Sequence, residues 1–164
     1  MRILGIDPGI AIMGYGVVEF EASKVKVIEN GVLTTSSKTP TPERLSILYN
    51  NLNEIIKEFK PDEFAIEELF FNQNVKTAIT VGHARGVQIL SAQVNNLPIY
   101  EYTPLQIKQA VTGYGRASKT QMQKTVTTLL NLKQIPKPDD AADALAVSLC
   151  HALSQRFKEN FRMN

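Results

Sequence analysis

The chain has 164 residues, of which 43% are hydrophobic and 21% charged, with a net charge of +2 and one cysteine, Cys150. These are the proportions of an ordinary soluble globular protein, of a length that suits one domain over 1–164 and needs no disulfide or metal staple to bury a core. A lone cysteine rules out an intrachain disulfide, no apolar run nears the roughly 20 residues of a membrane span, and the stretch between Arg2 and Asp7 is too short for a secretory signal, so a cytoplasmic setting is expected.

The small net charge hides a strong segregation. Residues 1–68 carry seven Lys/Arg against eleven Asp/Glu, residues 69–138 eight against Glu101 alone, and residues 139–164 three against four. A basic middle between acidic flanks fits a polyanion-binding surface beside a carboxylate site, and equally a solvated basic face. Charge alone does not choose between them.

Arg2–Asp7 (RILGID) is a short apolar run closed by Pro8-Gly9 and predicts a buried strand ending in a turn. Met13–Phe20 and Lys24–Thr35 are rich in Val, Ile, Tyr and Thr, and a turn at Glu21–Ser23 makes them an antiparallel continuation. Thr41-Pro42 predicts an N-cap with proline at the first helical position, and Leu45, Leu48, Leu52, Ile55, Ile56 and Phe59 follow as one apolar stripe. After the break at Pro61-Asp62, Glu63–Glu67 (EFAIE) predicts a strand, joined to the first three by a right-handed parallel crossover.

Asn74–Asn95 predicts a long helix whose Gly82, Ala84, Gly86 and Ala92 permit close approach of another element. Pro98–Tyr102 follows as a strand and Pro104–Thr112 as a helix ending before Gly113. Ser118–Gln121 fits a capping box opening a helix through Leu132, and Asp139 is placed to cap a last helix after Pro136-Lys137-Pro138. The expected product is an α/β domain with a mixed sheet covered by helices.

Among these elements the carboxylates stand out. Asp7 ends a buried strand, a costly place for an acid unless it is paired or binds a cation, and at the edge where open sheets carry their ligand chemistry. Glu67 and Glu68 end EFAIE, and if that strand lies parallel to the first, an acid of each sits about 5 Å from the other between backbones. Adjacent strand residues point to opposite faces, so one glutamate faces solvent, and periodicity does not say which. Asp140 and Asp143 share one face at a helix start, where capping and the helix dipole offer a purely structural reason for acids.

Four carboxylates gathered at one edge would repel each other unless neutralised, and oxygen-only ligands favour Mg²⁺ or Mn²⁺. Two such ions about 3.5–4 Å apart can clamp the attacking and leaving oxygens of a phosphodiester, which the basic middle would attract. The residues therefore point to a metal-dependent nuclease.

Several stretches resemble the RuvC family of bacterial Holliday junction resolvases, in the RNase H-like nuclease group. They are Ile3–Gly9 with Gly14–Gly16, Pro61–Phe70 (PDEFAIEELF), Gly82–Val87 (GHARGV), Tyr102–Gly115, Ala117–Gln121 and Asp140–Ala146 (DAADALA), in order along almost the whole chain. The resemblance implies an RNase H-like five-stranded sheet, three strands antiparallel and two parallel, flanked by helices. It implies metal-binding catalytic roles for Asp7, Glu67, Asp140 and Asp143, and so chooses Glu67 over Glu68.

The resemblance further implies base stacking by Phe70, with Phe71 as the alternative, and contacts of Lys108 and Lys119 near the scissile phosphate. Arg116 and Lys124 are candidate backbone contacts. A homodimer is implied, with the Asn74–Asn95 helix as its interface, together with symmetric cleavage of four-way junction DNA in recombination and repair, two Mg²⁺ (or Mn²⁺) ions per site, and a RuvA–RuvB branch-migration partner. The competing readings are a non-cleaving branched-DNA-binding module and, at greater distance, an actin/sugar-kinase-like phosphotransferase. His83 and His151 are read as structural and Cys150 as a buried apolar residue.

Overall fold

The structure is a computed structural model and describes residues 1–69 and 75–163, with only the backbone for 75–77. Strands β1 (Arg2–Asp7), β2 (Ile12–Glu21) and β3 (Lys24–Thr34) form an antiparallel meander, and the two-residue turn Ala22-Ser23 has positive φ at both positions. Such a turn matches the twist of the strands it joins, which keeps the hairpin in register. Helix α1 (Thr41–Phe59) then crosses to β4 (Glu63–Glu67), and α2 (Val75–Val94) leads to β5 (Ile99–Tyr102). The sheet order is β3-β2-β1-β4-β5, with β1, β4 and β5 mutually parallel. This is the expected mixed sheet.

Helices α3 (Pro104–Thr112), α4 (Lys119–Leu129) and α5 (Asp139–Leu153) follow. Strand alternation sorts the core into two faces. Leu4, Ile6, Phe64 and Ile66 pack with Leu48, Leu52 and Ile55 of α1, while Ile3 and Ala65 pack with Leu145 and Leu149 of α5. Asp7 and Glu67, two residues on from Gly5 and Ala65, therefore belong to the α5 side, and Glu68 does not.

Glycines bring α5 down onto the sheet. A Cβ on Gly5 would lie 2.2 Å from Ser148 Oγ, one on Gly14 2.0 Å from the Asp140 carbonyl oxygen, and one on Gly16 2.9 Å from the Leu145 nitrogen. Gly5 pairs with Gly16 and Asp7 with Gly14 across the β1–β2 ladder, so these glycines form a lane along which α5 rests. The helix is apolar nearly all round, with Ala144 through Ala152 buried, as befits an element enclosed on several sides.

Some expected boundaries shift. Pro40 and Pro138, not Thr41 and Asp139, occupy the N-cap positions of α1 and α5, and neither start has a side-chain cap. The expected capping box at Ser118 and Gln121 is present, and a second one joins Thr103 and Gln106 at α3. Helix α4 ends at Leu129, short of Leu132, because the chain turns at Leu130 and enters the left-handed region at Asn131, φ 50°.

A 3₁₀ segment, Gln155–Phe161, lies beyond the expected elements. It is anchored through Glu63, whose side chain is bonded to His151 Nε2 (2.7 Å), Gln155 Nε2 (3.2 Å) and Lys158 Nζ. His151 Nδ1 lies 2.6 Å from the Tyr102 hydroxyl, so this histidine is structural as expected, whereas His83 is exposed on α2. Burial works against ionisation of Glu63, but the hydrogen bonds from His151, Lys158 and Gln155 outweigh it and hold its pKa down at about 2. Cys150 is buried, and burial pushes its thiol up to about 12, which makes it inert.

Candidate active site

Asp7 and Glu67 stand at the C-terminal ends of adjacent parallel strands, one residue beyond the Ile6–Ile66 pair. The first turn of α5 brings Asp140 and Asp143 over the same edge, with the Asp140 backbone against Gly14, the cross-strand partner of Asp7. The four acids are close enough to feel one another. Burial, then the charges of Glu67, Asp143 and Asp140, raise the Asp7 carboxyl to about 8 despite the opposing pull of Lys119. Burial and Asp143 raise Glu67 to about 7 against Lys108 and Lys119. Asp143 is raised as well, burial with Asp140 and Asp139 outweighing its direct partner Lys119.

Lys119 is the first residue of α4, held there by the Ser118 capping box. Its ammonium lies 3.2 Å from both Asp143 Oδ2 and Asp139 Oδ2, so Asp139, expected as a cap, is instead a partner of this lysine. The pairing was not expected from the sequence, in which Lys119 and Asp143 belong to separate motifs. Lys119, Lys108, Glu67 and Asp143 line one cleft of about 230 Å³ together with the apolar Ile107 and Met122. Arg116 and Lys124 are exposed on and just before α4, outside the cleft lining. Phe70 and Phe71 lie outside the described residues.

With Asp143 turned to Lys119, no group of three or more His, Cys, Asp or Glu side chains among the described residues is gathered closely enough to hold an ion as it stands. The donor chemistry nevertheless suits a hard cation. The acids are all oxygen donors, and burial first, then mutual repulsion that Lys119 and Lys108 only partly relieve, raises the carboxyls of Asp7 and Glu67. A divalent cation would relieve that repulsion directly.

A five-stranded mixed sheet with acids on the ends of two adjacent parallel strands and on the helix laid across them, beside lysines, defines a nuclease of the RNase H-like class. The comparisons with known proteins agree. The family model for crossover junction endodeoxyribonuclease RuvC matches residues 3–151. A crossover junction endodeoxyribonuclease RuvC of Finegoldia magna is 62% identical over 158 residues, covering 96% of both chains. The Thermus thermophilus RuvC structure is 37% identical with a TM-score of 0.89, covering 99% of this chain and 98% of the other. T. thermophilus RuvC in complex with Holliday junction substrate is 34% identical with a TM-score of 0.90, covering 99% of this chain and all of the other.

The chain belongs to the RuvC family of crossover junction endodeoxyribonucleases. It is an enzyme that hydrolyses phosphodiester bonds of DNA, and the binding-only and phosphotransferase alternatives fall with that assignment. Among the described residues no helix is long and apolar enough to cross a membrane.

Proposed function

We propose that Asp7, Glu67, Asp140 and Asp143 bind divalent metal and carry the hydrolysis of two symmetry-related strands of a four-way DNA junction. The carrying observation is the Asp7 carboxyl raised to about 8 by burial and by the other three acids, the state expected of ligands that need a cation to share. Mg²⁺ fits the all-oxygen donor set, with Mn²⁺ able to replace it, and two ions match four carboxylates. When bound, the ions would make attack by water easier and stabilise charge on the leaving oxygen, giving 5′-phosphate and 3′-hydroxyl ends.

The protein's own groups do the rest. Asp7 and Glu67, fixed on neighbouring strands, set the floor of the site, and the buried α5 carries Asp140 and Asp143 rigidly over it. Lys119 exchanges its hold on Asp143 for the scissile phosphate as the DNA enters, and Lys108, which lines the same cleft, approaches the same backbone. Arg116 and Lys124 extend this basic surface along the duplex arm. Phe70, or Phe71, stacks on an unpaired base at the branch point.

Cutting two strands symmetrically calls for two copies of the site. Ile79, His83, Gly86, Leu90 and Val94 are exposed at helical spacing along α2, which suits it to meet its counterpart in a homodimer. Of the small residues there, Ala84 and Ala92 are buried in the core, while a Cβ on Gly82 or Gly86 would meet nothing within 4 Å, so only the glycines leave room for a partner. The reading is of one nuclease domain over 1–164, in the cytoplasm, acting with a RuvA–RuvB branch-migration complex.

A synthetic four-way junction tests the proposal. With Mg²⁺ the wild-type protein should nick two opposed strands, whereas Asp7→Asn should bind the junction and leave it intact. Wild-type cleavage by that variant would sink the assignment.

A further inference from the structure

The two strand ends that present Asp7 and Glu67 are both held from α2. Arg85 donates from Nε to the carbonyl oxygen of Glu67 at 3.1 Å and from Nη2 to Glu101 Oε2 at 2.8 Å. Gln88, one turn further along and fully buried, donates from Nε2 to the carbonyl oxygen of Gly9 at 3.3 Å, two residues beyond Asp7. Glu101 pairs with Ile66 across the β4–β5 ladder, so the ion pair ties Arg85 to the sheet immediately before Glu67. The glutamate's peptide is also fixed from the other side, because the Glu68 amide donates to the Tyr102 carbonyl at 2.9 Å.

These bonds fall where β1 and β4 part. The β1–β4 ladder ends at Ile6 and Ile66, so just beyond it these two strands no longer bond each other, although Asp7 still pairs with Gly14 and Glu67 with Tyr102. A carbonyl there needs another donor, and α2 supplies one to each strand end from residues three apart on one face. One helix therefore bonds the backbone of both strands just where their own ladder has ended. Among the described residues the Oε1 of Gln88 is buried without a partner, a cost that an apolar residue of the same size would avoid, so the bond from Nε2 to Gly9 is what its polarity supplies. Arg85 sits in the GHARGV stretch, between glycines that leave the opposite face of α2 open.

We infer that Arg85 and Gln88 are positioning residues, a two-point clamp that sets the Asp7–Glu67 separation for a divalent cation. This rests on the metal-site reading above. Neither side chain is assigned a contact with DNA or with the ion; each acts through the backbone that carries a ligand. Groups that orient ligands in this way typically change metal affinity by about 10–100-fold when removed.

The test uses the full chain, with Gln88→Leu, Arg85→Lys and, as a milder perturbation of the same arm, Glu101→Gln. Two readouts are followed as Mg²⁺ is titrated: the rise in melting temperature of the DNA-free protein and the rate of junction cleavage. Expected for Gln88→Leu and Arg85→Lys is a roughly 10-fold or greater rise in the Mg²⁺ concentration giving half of each effect. Glu101→Gln should move the same midpoints in the same direction by less. Junction affinity in EDTA should stay within about 2-fold of wild type, and excess Mg²⁺ should restore cleavage, which a general loss of folding would not permit.

Unchanged Mg²⁺ midpoints in Gln88→Leu, with wild-type melting still raised by Mg²⁺, would overturn the clamp alone. Should wild-type melting itself be insensitive to Mg²⁺, the metal-site reading and the clamp both fall. If Arg85→Lys does not fold, Gln88→Leu decides the question by itself.

Discussion

Replacing Asp7 by asparagine should destroy cleavage and yet stabilise the metal-free fold. An unfolded chain ionises this carboxyl near its ordinary value of 3.8, whereas the folded site, by burial and by repulsion from Glu67, Asp143 and Asp140, holds the proton to about 8. A carboxyl whose pKa is raised on folding destabilises the fold once it must ionise. The penalty is absent below about pH 4, grows as pH rises, and is complete above about pH 8. A rise from 3.8 to about 8 corresponds to roughly 5–6 kcal/mol as a ceiling. Relaxation of the site and the charge coupling of Asp7 to Glu67 bring this down to about 3 kcal/mol.

For a chain of this length each kcal/mol moves the melting temperature by about 2–4 °C, so Asp7→Asn should melt roughly 6–12 °C above wild type at pH 8.5 in EDTA. The gain should shrink towards zero near pH 4, where the wild-type carboxyl is protonated in both states. Mg²⁺ should close the gap from the other side, raising wild type more than the variant. Calorimetric melts of both proteins at several pH values, with EDTA and with Mg²⁺, measure all of this. A variant that melts below wild type at pH 8.5, or whose gain is the same at pH 4 and pH 8.5, would refute the reading that burial and the neighbouring acids raise the Asp7 carboxyl on folding.

Glu63→Gln should cost about 3 kcal/mol at pH 7, read as a fall in melting temperature, since the shift from 4.5 to about 2 makes the ionised form a net stabiliser. The lowered pKa fixes the sign: the contribution is present above pH 4.5 and is lost as pH falls towards 2, so wild type and variant should converge in acid. Gly14→Ala places a Cβ against the Asp140 carbonyl, a backbone atom that cannot rotate away, so α5 must lift. A displacement of about 1 Å should lower cleavage by about 10²-fold, with a stability loss of roughly 1–3 kcal/mol by melting. Lys119→Met removes the cation that opposes the raised pKa of Asp7, Glu67 and Asp143, so the cleavage pH profile should shift to higher pH and the rate fall about 10²–10³-fold.

What the sequence revealed depended on how far along the chain each cause lay. β1 and β4 were legible because a strand's apolar run and the turn that ends it are local, and Asp7 was conspicuous because an acid at the end of such a run has a local cost. The choice between Glu67 and Glu68 was a matter of one face or the other, and which face carries α5 is settled by residues some eighty positions away. Once α5 is seen on the side of Ala65, alternation puts Glu67, and not Glu68, on the α5 face. The glycines at 5, 14 and 16 were visible as residues but not as a lane, because only the β1–β2 register lines them up and only α5 gives them something to admit.

The same distinction explains the misplaced caps. Thr41 and Asp139 are good cap residues by type, but a cap is a backbone position, and Pro40 and Pro138 hold the extended φ and ψ that enter each helix. Asp139 is thereby left inside the first turn with its carboxylate free for Lys119. Arg85 and Gln88 show the limit most clearly. On a helical wheel they are two polar residues on a small-residue helix, ordinarily assigned to solvent. Their meaning comes from two carbonyls, those of Glu67 and Gly9, which the sequence holds about sixty residues apart, and only the assembled sheet brings both within reach of one turn of helix.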